Sequence, residues 1–181
     1  GCDINPLGAI LVRPRLAPPD LDDIQDRLHS LPWPEEAIEL PAELLVFYHP
    51  ETLKELTFLR QYFLDREKKG ELDAVDLWIR MVAVNRLTGH SGGFFSVYTL
   101  PPNQSVTLES QKRINEKREQ TPPRRNVPEL IFKKSKSLLK DLIETPMLPI
   151  GLEAELVTGD ARDTREIKNN SVDLVVTSPP F

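Results

Sequence analysis

The run Asp173-Leu174-Val175-Val176-Thr177, followed at once by Ser178-Pro179-Pro180-Phe181, constrains this chain more than any other feature. A short apolar run of this kind, with polar residues only at its ends, fits a parallel strand covered on both faces, Val172 to Thr177. Such a strand presupposes a sheet with helices on each side. In open α/β sheets ligands bind outside the carboxyl ends of the strands, which is where Ser178 to Phe181 falls. Two consecutive prolines fix φ and hold the backbone extended and stiff. Their carbonyls are then free to accept hydrogen bonds from an amine. Taken alone, Ser-Pro-Pro reads equally well as a turn.

The segment before it narrows the choice. Leu156-Val157-Thr158-Gly159-Asp160 reads as the end of a strand beginning near Leu152, and Asp160 lies 18 residues before Ser178. A short helix over Asp163 to Ile167 completes a strand, turn, helix, strand unit, half of a doubly wound sheet. Asp160 also suits a helix N-cap. At the other end of the chain, Gly1-Cys2-Asp3-Ile4-Asn5-Pro6 reads as a strand end carrying an acid, followed by a turn and an apolar stretch to Leu16. An acid at the end of a second Rossmann strand holds ribose hydroxyls.

In chain order these three segments resemble the DNA amino-methyltransferases, class I S-adenosylmethionine-dependent enzymes that methylate N4 of cytosine or N6 of adenine. Their catalytic motif has the form Asp/Asn/Ser-Pro-Pro-Tyr/Phe. The resemblance implies that Ser178 and the Pro179 carbonyl accept hydrogen bonds from the target amine, that Pro180 stiffens the motif, and that Phe181 stacks on a base flipped from the duplex. The acceptors matter because the amine's lone pair is delocalised into the ring until its hydrogens are drawn out of plane. The resemblance further implies that Asp3 binds the cofactor ribose, that Ile4 flanks its adenine, and that Asp160 faces the adenine amino group. Serine in the first motif position leans towards cytosine, with adenine as the near alternative and RNA a more distant one.

The implied fold is α/β, a partial Rossmann-like doubly wound sheet with a large, mainly helical insertion. Residues 1–16 would supply a cofactor-binding strand and turn, 17–150 the insertion, and 151–181 the core segment with the motif. Residues 78–104 look like the insert of large bacterial members of this superfamily. The Phe-x-Gly-x-Gly loop that precedes the ribose-binding acid in such enzymes is not in the sequence, nor are strands after Phe181. The chain is therefore expected to be an internal piece of a longer enzyme and inactive in isolation.

Within 17–150, helical spacing predicts a short helix from Asp20 to about Leu31, helices over Pro50 to Lys69 and Ala74 to Leu87, and two more over 106–120 and 128–144. Gly89-His90-Ser91-Gly92-Gly93 opens a loop into an aromatic strand. It lacks the Lys and Ser/Thr of a phosphate loop and reads as a hinge or a DNA-contacting loop, with Phe94, Phe95 and Tyr98 packing in the core. Net charge is −5, unevenly spread. Residues 20–76 hold 15 acids and 6 bases, expected to form a solvated surface, whereas 112–140 hold 10 bases and three acids. The basic stretch suits either phosphates or a solvated helical face.

Duplex DNA is the implied partner, and a cognate restriction endonuclease is left open. The rival from another class is a DNA-binding module whose motif is a relic. Three scattered histidines and a single cysteine show no metal-ligand spacing, and transfer from a sulfonium needs no metal, so none is assigned. The absence of any run of 18 apolar residues argues against a membrane span, and a cytoplasmic location is inferred.

Overall fold

A computed structural model of the chain describes residues 1–36, 38–99, 106–144 and 154–177. Helices dominate it. They are α1 (Pro6–Leu16), α2 (Leu21–Ser30), α3 (Pro50–Lys69), α4 (Ala74–Val84), α5 (Leu108–Lys117) and α6 (Val127–Glu144), with a 3-10 turn at Ala42–Val46. Two short strands, β1 (Cys2–Asp3) and β2 (Val157–Thr158), form a parallel pair in the register Cys2↔Val157 and Asp3↔Thr158. None of the described helices is long and apolar enough to cross a membrane.

Local chemistry sets the helix ends. Pro50 occupies the first position of α3, and Gly70 stops it in the left-handed conformation at φ 69°, which costs glycine nothing. Asp73 and Asp76 make a capping box at the start of α4, each accepting from the other's backbone N–H. The start of α6 is capped from a distance. Glu55 of α3 accepts from the Val127 N–H at 2.8 Å, and Asn126 accepts from Glu129 at 3.0 Å.

The apolar faces of α2, α3, α4 and α6 bury one core, with Ile24, Leu59, Phe63, Ile79, Met81, Val82 and Ile131 at its centre. Trp78 lies inside it and donates its indole N–H to Ser135 Oγ of α6 at 3.0 Å. The acidic arm is not wholly a solvated surface, because Asp76 is fully buried. It accepts from Arg27 of α2, from Arg66 Nε of α3 at 2.6 Å and from the Tyr62 hydroxyl at 3.0 Å.

Four expectations require correction. Residues 6–16 are a helix, because Asn5 caps the Leu7 N–H at 3.0 Å and Pro6 takes the first helical position. Asp163 to Ile167 forms turns rather than a helix; five residues give too few hydrogen bonds to offset nucleation. Val172 to Thr177 forms no strand and has no ladder partner among the described residues, and Leu174, Val175 and Val176 are 78%, 77% and 86% exposed. A run apolar on both faces needs a neighbour on each, and no described strand lies beside it. Residues 88–99 form no strand, only an isolated bridge between Gly89 and Tyr98.

In that loop Phe95 is buried in the core, while Phe94 and Tyr98 are half-buried under the guanidinium groups of Arg86 and Arg118. Gly89 makes the packing possible. A Cβ there would lie 2.4 Å from Cγ of Phe94. Gly89→Ala is expected to lower stability by about 1–3 kcal/mol, the usual cost of overpacking, as read from urea denaturation. An unchanged midpoint would mean that the Phe94 ring can swing clear.

Candidate functional site

The parallel pair brings together two acids from opposite ends of the chain. Asp3 closes β1, and Asp160 follows β2 by two residues at the same, carboxyl edge. Hydrogen bonds between the two segments hold the edge in register. The Val157 N–H donates to the Gly1 carbonyl at 2.8 Å and the Gly159 N–H to the Asp3 carbonyl at 3.0 Å. Cys2 Sγ adds a weak contact to the Gly159 carbonyl at 3.4 Å.

Asp3 is exposed, and its Oδ1 accepts from the Asn5 N–H at 2.9 Å, an Asx-turn that leads directly into α1. Gly8 in the first turn of α1 permits this closeness, since a Cβ there would lie 2.8 Å from Asp3 Oδ2. The carboxylate is thus seated over the amino end of α1, where the helix dipole favours negative charge. Ile4 beside it is 76% exposed and ready to cover an apolar ligand surface.

Asp160 is otherwise engaged. Its carboxylate accepts from the Arg162 backbone at 2.9 Å and from the Arg162 guanidinium at 2.5–3.0 Å. The guanidinium, then the backbone N–H, hold the Asp160 carboxyl below its ordinary value, so it is ionised at neutral pH. Both residues are exposed, and an exposed pair of this kind is weak enough for a ligand donor to displace. The sequence reading missed Arg162. Its spacing of two residues from Asp160 was the available signal, but i,i+2 pairs carry weight only in turns, and Asp160 was read as a strand-end acid or a helix N-cap.

Between the two acids the surface is open, because a Cβ on Gly159 would meet nothing within 4 Å. A ligand could approach bare backbone there, flanked by acceptors for hydroxyl and amino donors. The motif residues Ser178, Pro179, Pro180 and Phe181 lie outside the described residues.

Comparison with protein-family models, with curated proteins and with solved structures found no match. The site therefore stands on its own geometry and on the sequence motifs.

Proposed function

We propose that this chain forms part of an S-adenosylmethionine-dependent DNA methyltransferase that acts on the exocyclic amine of cytosine. The observation that carries the reading is the adjacency of Asp3 and Asp160 at the carboxyl edge of two parallel neighbouring strands. In the doubly wound order 3-2-1-4-5-6, strands two and three are parallel neighbours, and the ribose-binding acid ends strand two. On this reading β1 is the second strand and β2 the third. Residues 172–177 then correspond to the fourth, whose neighbour in that order is the first strand and not the third. That assignment accounts for a segment with a strand's composition and no partner beside β2.

In this arrangement Asp3 would hold the ribose hydroxyls, Ile4 the face of the adenine and Asp160 its amino group. The cofactor, when bound, supplies an electrophilic methyl on a sulfonium. Ser178 and the Pro179 carbonyl would orient the target amine, Pro180 would keep the motif rigid, and Phe181 would stack on the flipped base. Helices of residues 17–150 stand between the two strands in sequence and present the basic stretch to duplex DNA.

The test is nucleoside mass spectrometry on DNA treated with the full-length protein and labelled S-adenosylmethionine. Label is expected in N4-methylcytosine, with a loss of at least about a hundredfold in the Ser178→Ala, Phe181→Ala double variant, the scale on which positioned acceptors act. Label in N6-methyladenine would correct the base and keep the reaction. No label in any nucleoside would sink the reading in favour of a module that binds DNA without modifying it. The engagement of Asp160 by Arg162 is the observation that favours this alternative.

A further inference from the structure

Two arginines distant in sequence flank one turn. Arg86 follows the end of α4, and Arg125 lies in the link between α5 and α6. A Cβ on Gly92 would lie 3.8 Å from Arg125 Nη1, and one on Gly93 would lie 3.9 Å from Arg86 Nη1. Consecutive residues place the two guanidinium groups within about 15 Å of each other. We propose that Arg86 and Arg125 clamp a backbone phosphate segment of DNA across the Gly92–Gly93 turn; the DNA assignment rests on the function proposed above.

Three features single this place out. Both arginines have a buried Nε without a hydrogen-bond partner, and neither guanidinium forms an ion pair or hydrogen bond among the described residues. By contrast Arg27 and Arg66 find a carboxylate at Asp76, and Arg80, whose Nε is likewise buried and unpartnered, places its Nη1 on Glu67. A half-buried cation without an ion-pair partner costs free energy, and burial lowers the pKa of Arg86. An arriving phosphate would offset that cost with charge-assisted bonds.

The second feature is rigidity. The Arg86 guanidinium lies 4.5 Å from the centroid of Phe94, and a stacked guanidinium keeps its edge free to point outward. The Arg125 backbone is fixed on both sides by Thr52, which donates to its carbonyl at 2.9 Å and accepts from its N–H at 2.7 Å.

The third is the turn itself. Gly92 and Gly93 are exposed, neither has positive φ, and a Cβ on either would meet only ordinary contacts. Packing therefore does not require glycine here, in contrast to Gly89. What the missing side chains leave is room for a ligand to reach both guanidinium groups, beside the exposed hydroxyl-bearing Ser91. The surroundings suit a long anion rather than an isolated one. Arg118, stacked 3.7 Å from the centroid of Tyr98, and Arg124, whose guanidinium lies 3.8 Å from Glu55, are both exposed on the same α5–α6 segment.

The experiment is duplex binding by fluorescence anisotropy from 50 to 200 mM salt, with the 181-residue chain and the full-length protein. Arg86→Gln with Arg125→Gln should weaken binding at least about tenfold. It should also flatten the dependence of log K on log salt by about 2, one for each lost phosphate contact. Gly93→Asp provides a second variant that removes no arginine and meets no packing obstacle, and it should weaken binding similarly with its circular dichroism unchanged. Wild-type affinity and slope in both variants would overturn the clamp, as would a wild-type protein that fails to bind duplex. Tenfold tighter binding of RNA, or displacement of DNA by equimolar pyrophosphate, would overturn the assignment to DNA. The methylation assay is scored separately. Label in DNA without any effect of the variants would remove the clamp and leave the enzyme; variant-sensitive binding without label would do the reverse.

Discussion

Replacing Asp76 with alanine is expected to cost the fold about 3–5 kcal/mol, the usual consequence of removing one partner from a buried ionic cluster. The carboxylate is fully buried and is shared by three helices. Arg27 reaches it from α2, Arg66 and Tyr62 reach it from α3, and Asp76 itself completes the capping box of α4. Without it, two guanidinium groups would lose their buried partner and keep only more exposed carboxylates, Asp73 at 2.7 Å from Arg27 and 3.8 Å from Arg66, and Glu71 at 3.8 Å from Arg66. Asp76→Asn should recover little, since an amide can accept but brings no charge. Urea denaturation measures both variants, and a loss below about 1 kcal/mol in the alanine variant would mean that the cluster is not holding the helices together.

The same cluster gives the fold an acid limit. Burial pushes the Asp73 carboxyl up, but the hydrogen bonds from Arg27 and from the Asp76 backbone prevail and leave it below its ordinary value of 3.8. A carboxyl depressed in the folded state contributes stability above its unfolded pKa and loses it as pH falls through the folded value. The contribution of Asp73 is accordingly present at neutral pH and fades below about pH 4.

Trp78→Ala is the second large effect, also about 3–5 kcal/mol. The indole is 2% exposed, joins α4 to α6, and is among the largest fully enclosed side chains. Its removal leaves a cavity and an unpartnered Ser135 hydroxyl. In a chain of 181 residues this corresponds to a drop in Tm of roughly 6–20 °C, followed by circular dichroism. Trp78→Phe should lose less, because most of the apolar volume stays and only the hydrogen bond is gone. If both variants melt alike, the hydrogen bond outweighs the packing and the expectation fails.

How far the sequence reveals this molecule depends on the distance over which its signals act. Pro50 and Gly70 bound α3 as read, and the apolar spacing of Trp78, Ile79 and Val82 finds the face of α4 that is buried, because such signals lie within a few residues of what they determine. The cluster at Asp76 was invisible, since Arg27 is 49 residues away and acids in an acid-rich arm look alike. At the site, the acids Asp3 and Asp160 were legible as strand-end residues, and their adjacency is present in the fold. Arg162 was not legible, because the turn expected after β2 does not by itself say which side chain folds back onto Asp160. Residues 172–177 show the converse: their composition names a strand, but a strand exists only where a neighbour supplies hydrogen bonds, and composition cannot supply that neighbour.

The register Cys2↔Val157 carries an entropic cost. Joining segments so far apart in a flexible chain costs about 4–5 kcal/mol of closure entropy before the first bond forms. Two strands of two residues each cannot repay that sum. Their pairing is affordable only because α1, which β1 leads into, packs against α4 and so shortens the effective loop. The packed helices thus hold the two strand segments where the sheet can close. Order at the carboxyl edge therefore depends on the helices, and whatever loosens α1 from α4 should loosen the acids gathered there.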